Sequence, residues 1–263
     1  MLLSSVILVL REVLEAALLF SLLMTLSMRV GISLRWVIVA LVAGTLGAAV
    51  CGFNIDRVTE LFDGVGQELL NAALQLCIFA LMCGVCVAAV LLIRGFRLPS
   101  QLLPVLMAAS VILAITREGS EIMIYLSGFL QVSDKWASVL TGSVIGAGIG
   151  VSVGAVFYFL LMTLSPMLAA LSGAAILSLV SAGMILQATE LLIQADWLPA
   201  DYPLWDTSTL LSEQSVAGQL LYALIGYEAT PTALQLASYL AALAVIIGAV
   251  ILAARWRPAD RVQ

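Results

Sequence analysis

The sequence predicts an all-α integral membrane protein with seven transmembrane helices, built as a 3+3 inverted repeat followed by a seventh helix. Three observations support this prediction: the composition, seven long apolar segments and a charged motif that occurs twice. Of the 263 residues, 63% are hydrophobic and 10% are charged, whereas soluble domains have about 45–50% apolar and about 25% charged residues. The composition excludes a soluble globular protein, and the net charge of −5 argues against nucleic acid as a partner.

Seven segments have the roughly 20 mostly apolar residues that a membrane-spanning helix needs. Polar residues, proline or glycine separate them. The segments cover residues 2–28, 36–54, 67–93, 102–130, 137–164, 170–194 and 234–255. We predict one transmembrane domain over 1–263, in which repeat one covers about 2–93, repeat two covers about 102–194 and an outer loop covers 195–233.

The basic residues outside the apolar segments predict the orientation, because cytoplasmic loops carry an excess of lysine and arginine. With the N-terminus outside, only Arg57 and Lys135 fall on the outer side. Seven arginines fall on the inner side: Arg29, Arg35, Arg94, Arg97, Arg255, Arg257 and Arg261. The sequence therefore predicts an N-out, C-in arrangement.

The predicted outer loop, 195–233, contains a short helix of its own. Asp206 or Ser208 is a candidate N-cap, an apolar pattern follows, and Gly226 is a candidate stop. We expect an interfacial helix that lies on the membrane surface. A lid over an entrance to the protein is the alternative interpretation.

Two charged motifs lie inside apolar segments one and four, where an ionised side chain costs at least about 2.5–3.5 kcal/mol at mid-bilayer. Each motif is an arginine followed by glutamates at the next and the fourth position, so the two motifs hold four glutamates and two arginines. The surplus of carboxylate in a low dielectric favours a bound cation or protons. Polar contacts between two helices are the alternative. The motifs are Arg11-Glu12-Val13-Leu14-Glu15 and Arg117-Glu118-Gly119-Ser120-Glu121.

The position of the two motifs points to a transporter. Predicted helices one and four run in opposite directions, three crossings apart, as corresponding helices of an inverted repeat do. Transporters built from such repeats place their site near the bilayer midplane, at the interface between the repeats. We therefore expect the two motifs to meet inside the bundle.

Further polar residues lie on single faces of predicted helices three and six, since their spacing is three and then four. They could form an oxygen-rich outer vestibule, or they could only hydrogen-bond between helices. Carboxylate and amide oxygens suit hard cations such as Mg²⁺, Ca²⁺, Mn²⁺ or Fe³⁺. The candidate metal ligands are Glu12, Glu15, Glu118, Glu121, Glu190 and Glu68. The candidate supporting residues are Arg11, Arg117, Asn71, Gln75, Gln187 and Gln194.

The paired R-E-x-x-E motifs in helices one and four of a seven-helix chain resemble the iron permease family. Its fungal members partner a multicopper oxidase, and its bacterial members serve elemental iron uptake. The loop segment 205–208 (Trp-Asp-Thr-Ser) is also similar to that family. Val13 stands where the family usually has glycine and Ser120 where it usually has leucine, but all charged positions are present.

The resemblance implies a high-affinity permease that imports iron across the inner, cytoplasmic membrane as a multi-pass protein. The imported ion would be Fe³⁺, made from Fe²⁺ by an extracytoplasmic oxidase or delivered by an iron-binding partner. The motif glutamates would bind the ion and the arginines would hold those carboxylates in place, with no permanently bound cofactor and no enzymatic activity. Two alternatives are a proton-coupled carrier of Mn²⁺ or Pb²⁺, and a non-transporting membrane subunit whose motifs dock a partner helix.

Overall fold

The computed structural model describes residues 2–129 and 133–256, and within these ranges the chain forms nine α-helices, one short 3-10 helix and no strand. The prediction of an all-helical protein is therefore confirmed. Arg257 and Arg261, which contributed to the predicted orientation, lie outside the described residues. The helices are α1 (Leu2–Val30), α2 (Arg35–Phe53), α3 (Ile55–Thr59), α4 (Gly66–Ile93), α5 (Leu102–Ser127), α6 (Ser133–Thr163), α7 (Pro166–Gln194), α8 (Val216–Ile225) and α9 (Ala233–Arg255), with the 3-10 helix at Leu61–Gly64.

Six of the described helices are long and apolar enough to cross a membrane: α2, α4, α5, α6, α7 and α9. The protein is therefore a multi-pass membrane protein. Helix α1 has 29 residues, which is also sufficient length, but it carries the charges of the first motif. The seventh crossing, along α1, stays a prediction.

The long helices pack in pairs, with α1 along α6, α2 along α5 and α4 along α7. Helices α1 and α6 run in the same direction, because Gly142 contacts Leu2 near the start of both helices and Gly154 contacts Ala17 further along. Helices α2 and α5 also run in the same direction. There Gly44 contacts Ile115, and Gly52 contacts Met123.

This pairing has the symmetry that two inverted repeats would produce. In such a protein, α1, α2 and α4 would correspond to α5, α6 and α7, in that order. The pair α1–α6 would then correspond to the pair α5–α2, and the pair α4–α7 would correspond to itself. Helices α1 and α5 are antiparallel, since Ser5 near the start of α1 hydrogen-bonds Tyr125 near the end of α5, at 2.6 Å between the hydroxyl oxygens.

The bundle has two ends, which we name by their elements. The α8 face carries the first residues of α1, the last residues of α5 and α7, and helix α8. The opposite face carries the ends of α1 and α4, at Val30 and Ile93, and the start of α5 at Leu102. Between the middle of the bundle and the opposite face lies a buried apolar core, whose members include Leu19, Leu22, Leu23, Ile78, Met82 and Met107.

The departure from the family pattern at Val13 is matched on the neighbouring helix. The Val13 side chain packs where Gly150 of α6 has no side chain, whereas Gly119 of the second motif lies against the Ala48 side chain of α2. The larger residue of the contact is Val13, on the motif helix, at the first motif and Ala48, on the neighbouring helix, at the second. Close helix packing is therefore kept at both motifs.

The outer loop differs from its prediction. Helix α8 begins at Val216, capped by Ser215, whose Oγ accepts a hydrogen bond from the Gly218 amide at 3.0 Å. Asp206 does not cap it, because its Oδ1 instead accepts from the Ser208 amide and hydroxyl, at 2.9 and 2.6 Å. The helix does end at Gly226, as predicted.

Helix α8 packs into the bundle instead of lying free on its surface. Its last turns contact α1 and α7, and Ala223 is buried beside Leu14 and Leu18. Gly226, at φ +66°, adopts the left-handed conformation that glycine tolerates best, and it approaches the Gly183 backbone so closely that a Cβ would lie 2.8 Å from the Gly183 Cα.

Candidate metal site

The two R-E-x-x-E motifs meet where α1 passes α5. Glu12 from the first motif and Glu118 and Glu121 from the second each offer a carboxylate oxygen, and these three oxygens lie within 4.8 Å of one another. Glu12 and Glu118 are buried, and Glu121 is half-buried. Among the described residues, this carboxylate cluster is the one group of three or more acidic, cysteine or histidine side chains with the geometry to hold a metal ion.

Arg117 lies at the centre of the charged network. Its Nη1 is 2.5 Å from Glu118 Oε1 and 3.3 Å from Glu15 Oε2, and its Nη2 is 3.5 Å from Glu121 Oε1. The Arg117 side chain is only 5% exposed. A buried charge is tolerated only when partners compensate it, and here three carboxylates on two helices do so.

Glu15, which the sequence also predicts as a metal ligand, lies outside the carboxylate cluster. Its carboxylate is 3.5 Å from Arg11 Nε and 3.3 Å from Arg117 Nη1, and it accepts a hydrogen bond from Gln187 Nε2 at 3.1 Å. The contact between Glu15 and Arg117 joins α1 to α5, as the alternative of a polar helix–helix contact expects. That contact uses one of the four glutamates and leaves three in the cluster.

Amide side chains from α4 and α7 position the carboxylates. Asn71 Nδ2 donates to Glu121 Oε1 at 3.0 Å. The Gln75 amide contacts the Gln187 amide and lies 3.0–3.3 Å from the three nitrogens of the Arg117 guanidinium, which donate to its oxygen when that oxygen is turned toward them. These amides support the charged groups, as their positions in the sequence suggest.

The site has more negative than positive charge. Four motif glutamates face two motif arginines, which leaves −2 if all six groups are ionised. Glu118 Oε2 is buried and has no hydrogen-bond partner among the described residues, and an unpaired buried oxygen of this kind is costly. A cation placed between the three carboxylates of the cluster would compensate both the charge and the unpaired oxygen.

Glu190 and Glu68, the remaining predicted ligands, lie apart from the carboxylate cluster. Glu190 Oε1 accepts a hydrogen bond from Gln194 Nε2 at 3.1 Å, one turn along α7. Glu68 Oε2 is buried, and no hydrogen-bond partner for it lies within the part of the chain that the structure describes. Asn71 contacts Glu121, and a role for Glu68 and Glu190 in an outer vestibule stays a prediction.

The sequence pattern that defines the Iron permease FTR1 family matches residues 104–258, which is more than half of the chain. The chain belongs to this family. The match contains the second motif, helices α6 to α9 and nearly all of α5, and it begins after the first motif. No curated protein and no solved structure matches the chain. The expected resemblance to iron permeases is confirmed, and the protein is a permease for iron.

The carboxylate cluster of this permease is more accessible from the α8 face than from the opposite face. The Glu121 side chain is 26% exposed and the Arg11 side chain 37%, whereas Glu15 is 2% exposed. Toward the opposite face, the next buried side chains of α1 are Leu18 and Leu19, which are 1% and 0% exposed. The more exposed member of the cluster, Glu121, therefore lies on its α8 side.

Helix α8 contributes a residue that the sequence analysis did not assign to the site. The Tyr222 ring lies under the Arg11 guanidinium, 4.2 Å from its carbon to the ring centroid, a distance typical of cation–π contacts. The position of Tyr222 depends on how far α8 enters the bundle, which no local pattern indicates.

A second group of acids lies between α8 and the end of α7. Glu213 Oε1 accepts a hydrogen bond from the Ala229 amide at 2.6 Å. Burial, together with the negative charges of Glu190 and Glu213, raises the pKa of Glu228 to about 8. Glu228 is therefore largely protonated at neutral pH, so this side of the permease is less negative than its sequence implies.

Proposed function

We propose that this permease imports iron as Fe³⁺ across the cytoplasmic membrane, through carboxylates that both R-E-x-x-E motifs supply. The observation that carries the proposal is the cluster of Glu12, Glu118 and Glu121, built from two helices of opposite direction. Its oxygen donors suit a hard cation. With all six motif groups ionised the site carries −2, which a bound cation would compensate, and Arg117 reduces the mutual repulsion of the carboxylates while the site is empty.

The α8 face is outside in this proposal, and α1 is the seventh crossing. The described arginines at the opposite face support this orientation, because basic residues favour the cytoplasmic side. They are Arg29, Arg35, Arg94, Arg97 and Arg255. The parallel pairs α1–α6 and α2–α5 support the inverted repeat.

A separate extracytoplasmic protein supplies the ferric ion in this proposal. The chain contains no histidine, the commonest transition-metal ligand and a frequent proton-transfer group, so we assign the oxidation of Fe²⁺ to a partner oxidase. A dedicated iron-delivery protein would serve the same purpose.

Transport by the purified protein in lipid vesicles tests the proposal. Labelled Fe²⁺ and Fe³⁺ are offered separately, with and without an added iron oxidase. We expect Fe³⁺, or Fe²⁺ with the oxidase, to accumulate, and the Glu118→Gln variant to lose at least about 90% of uptake. Glu60→Gln, a substitution at an exposed loop acid, is the matched control and should transport normally.

Competition distinguishes the alternative functions. If the protein were a proton-coupled carrier of Mn²⁺ or Pb²⁺, those ions would abolish iron uptake and transport would require a pH gradient. A non-transporting subunit would show no uptake of any metal, together with loss of a protein complex when Arg11 is replaced. Normal uptake by Glu118→Gln would contradict the assignment of the carboxylate cluster as the transport site.

A further inference from the structure

The two motifs are equivalent in sequence but not in structure. They lie 106 positions apart, so Glu15 corresponds to Glu121. The Glu15 carboxylate is held by Arg11, Arg117 and Gln187 and is 2% exposed. Among the described residues, the Glu121 carboxylate contacts Asn71 and Arg117 outside the cluster, is 26% exposed and belongs to the carboxylate cluster.

If the two repeats exchanged conformations, one member of the carboxylate cluster would change. Glu12 and Glu118 occupy corresponding positions of the two motifs, so each would take the place of the other and both would stay in the cluster. Glu121, however, is replaced by Glu15. The exchanged cluster is therefore Glu12, Glu118 and Glu15, which shares two carboxylates with the observed one.

The residue that changes moves across the site. Helices α1 and α5 are antiparallel. Glu121 is one turn beyond Glu118 along α5 and therefore lies closer to the α8 face. Glu15 is one turn beyond Glu12 along α1 and therefore lies closer to the opposite face. The exchange therefore moves the third carboxylate from the α8 face toward the opposite face.

The buried residues on either side of the site follow the same asymmetry. Leu18 and Leu19 are 1% and 0% exposed. Leu19 belongs to the apolar core between the site and the opposite face, and Leu18 packs against Ala223 of α8. Their counterparts in the second repeat, Ile124 and Tyr125, are half-buried at the α8 side. An exchange of repeats would open the first pair and bury the second.

We propose that the permease has a second conformation in which Glu15 replaces Glu121 as the third ion-binding carboxylate. This inference rests on the proposed function. Arg117 is then a positioning residue that keeps Glu15 away from the ion in the described conformation. In the second conformation Arg11 holds Glu121 in the same manner. Glu12 and Glu118 stay on the ion throughout, so the cation crosses without losing all of its ligands.

Equilibrium binding and transport of labelled Fe³⁺, measured on the same purified variants, test the inference. We expect Glu121→Gln to weaken binding from the α8 side at least about 10-fold and to lower uptake. Glu15→Gln should bind iron within about threefold of wild type, with an unchanged KM for uptake but a maximal rate at least about 10-fold lower. Glu12→Gln and Glu118→Gln should lose both binding and uptake.

Equal loss of binding in Glu15→Gln and Glu121→Gln, or wild-type uptake by Glu15→Gln, would overturn the second conformation while leaving iron transport intact. Failure of the wild-type protein to bind or move iron would instead overturn the proposed function and this inference with it. Because Glu15→Gln binds iron only if it folds, its binding measurement also serves as its folding control.

Cysteine labelling gives a second test that does not depend on replacing a charged residue. Leu19→Cys is introduced after Cys51, Cys77, Cys83 and Cys86 have been replaced by alanine. We expect the new thiol to react with an impermeant maleimide from the opposite face during iron transport and to stay unreactive without iron. A thiol that remains unreactive while the variant transports iron would overturn the second conformation.

Discussion

Arg117 determines the electrostatics of the site at the scale of single residues. Its guanidinium is buried and contacts Glu15, Glu118 and Glu121. Arg11, the same residue of the other motif, contacts one carboxylate and the Tyr222 ring and is 37% exposed. Solvent screens exposed charges and weakens their pairs, so the two arginines contribute unequally.

Replacing each arginine by methionine tests this inequality. We expect Arg117→Met to destabilise the fold by about 3–5 kcal/mol, because breaking a buried pair leaves uncompensated buried charges. Arg11→Met, the matched variant of the first motif, should cost less, because Arg11 is 37% exposed and Glu15 keeps Arg117 and Gln187 as partners. Unfolding in detergent with a chemical denaturant measures both, and equal losses would contradict the inequality.

Glu228 gives the protein a pH-dependent stability. Its pKa is raised from 4.5 to about 8 by burial and by the charges of Glu190 and Glu213. The folded state therefore holds the Glu228 proton more tightly than the unfolded state does. The resulting stabilisation is complete below about pH 4.5 and is lost as the pH rises toward about 8.

The Glu228→Gln variant should remove that dependence, because glutamine resembles the protonated carboxyl group at every pH. We expect the melting temperature of Glu228→Gln to exceed that of wild type increasingly between pH 5 and pH 9. Thermal unfolding across this range measures the difference. A constant difference between the two proteins would show that Glu228 does not titrate in this window.

At the scale of helices, small residues determine which helices pair. Four glycines spaced by four on α6 lie against α1, and without side chains they let the two backbones approach closely. The contacts run from Gly142 at Leu2 to Gly154 at Ala17. Gly148, on another side of α6, has nothing within 4 Å of its Cβ position.

Replacing glycine by alanine on two sides of α6 distinguishes the effect of helix packing on stability from the effect of helix propensity. A Cβ at Gly146 would lie 2.5 Å from the Val6 carbonyl oxygen and 3.0 Å from the Leu10 backbone nitrogen. We expect Gly146→Ala to destabilise the protein by about 1–3 kcal/mol, as overpacking does. Gly148→Ala should be neutral or slightly stabilising, because alanine favours the helix. Denaturant unfolding in detergent measures both, and equal effects would contradict the α1–α6 packing described.

At the scale of the whole molecule, the carboxylate cluster joins α1 to α5, so an ion bound there would stabilise the bundle. A ligand that binds only the folded state adds about 2.7 kcal/mol at 100 times its dissociation constant. We expect Fe³⁺, supplied as a soluble chelate, to raise the melting temperature of wild type and leave that of Glu118→Gln unchanged. An equal increase in both proteins would indicate binding elsewhere.

The sequence alone determined the class of the protein and the residues that define its family. A chain with 63% hydrophobic residues must either be enclosed by lipid or aggregate, so composition indicates a membrane protein. A buried charge is so costly that the two motifs stand out within their apolar helices. These signals are local, and they can be read without knowing the fold.

Tertiary structure decided which predicted residues act together. The motifs differ little in sequence, yet Glu15 is held by both arginines and Gln187, while Glu121 joins Glu12 and Glu118. The depth of α8 and its Tyr222–Arg11 contact likewise arise from packing. The physical reason is that equivalent side chains become different only through the neighbours that other helices bring to them, and those neighbours are distant in the chain.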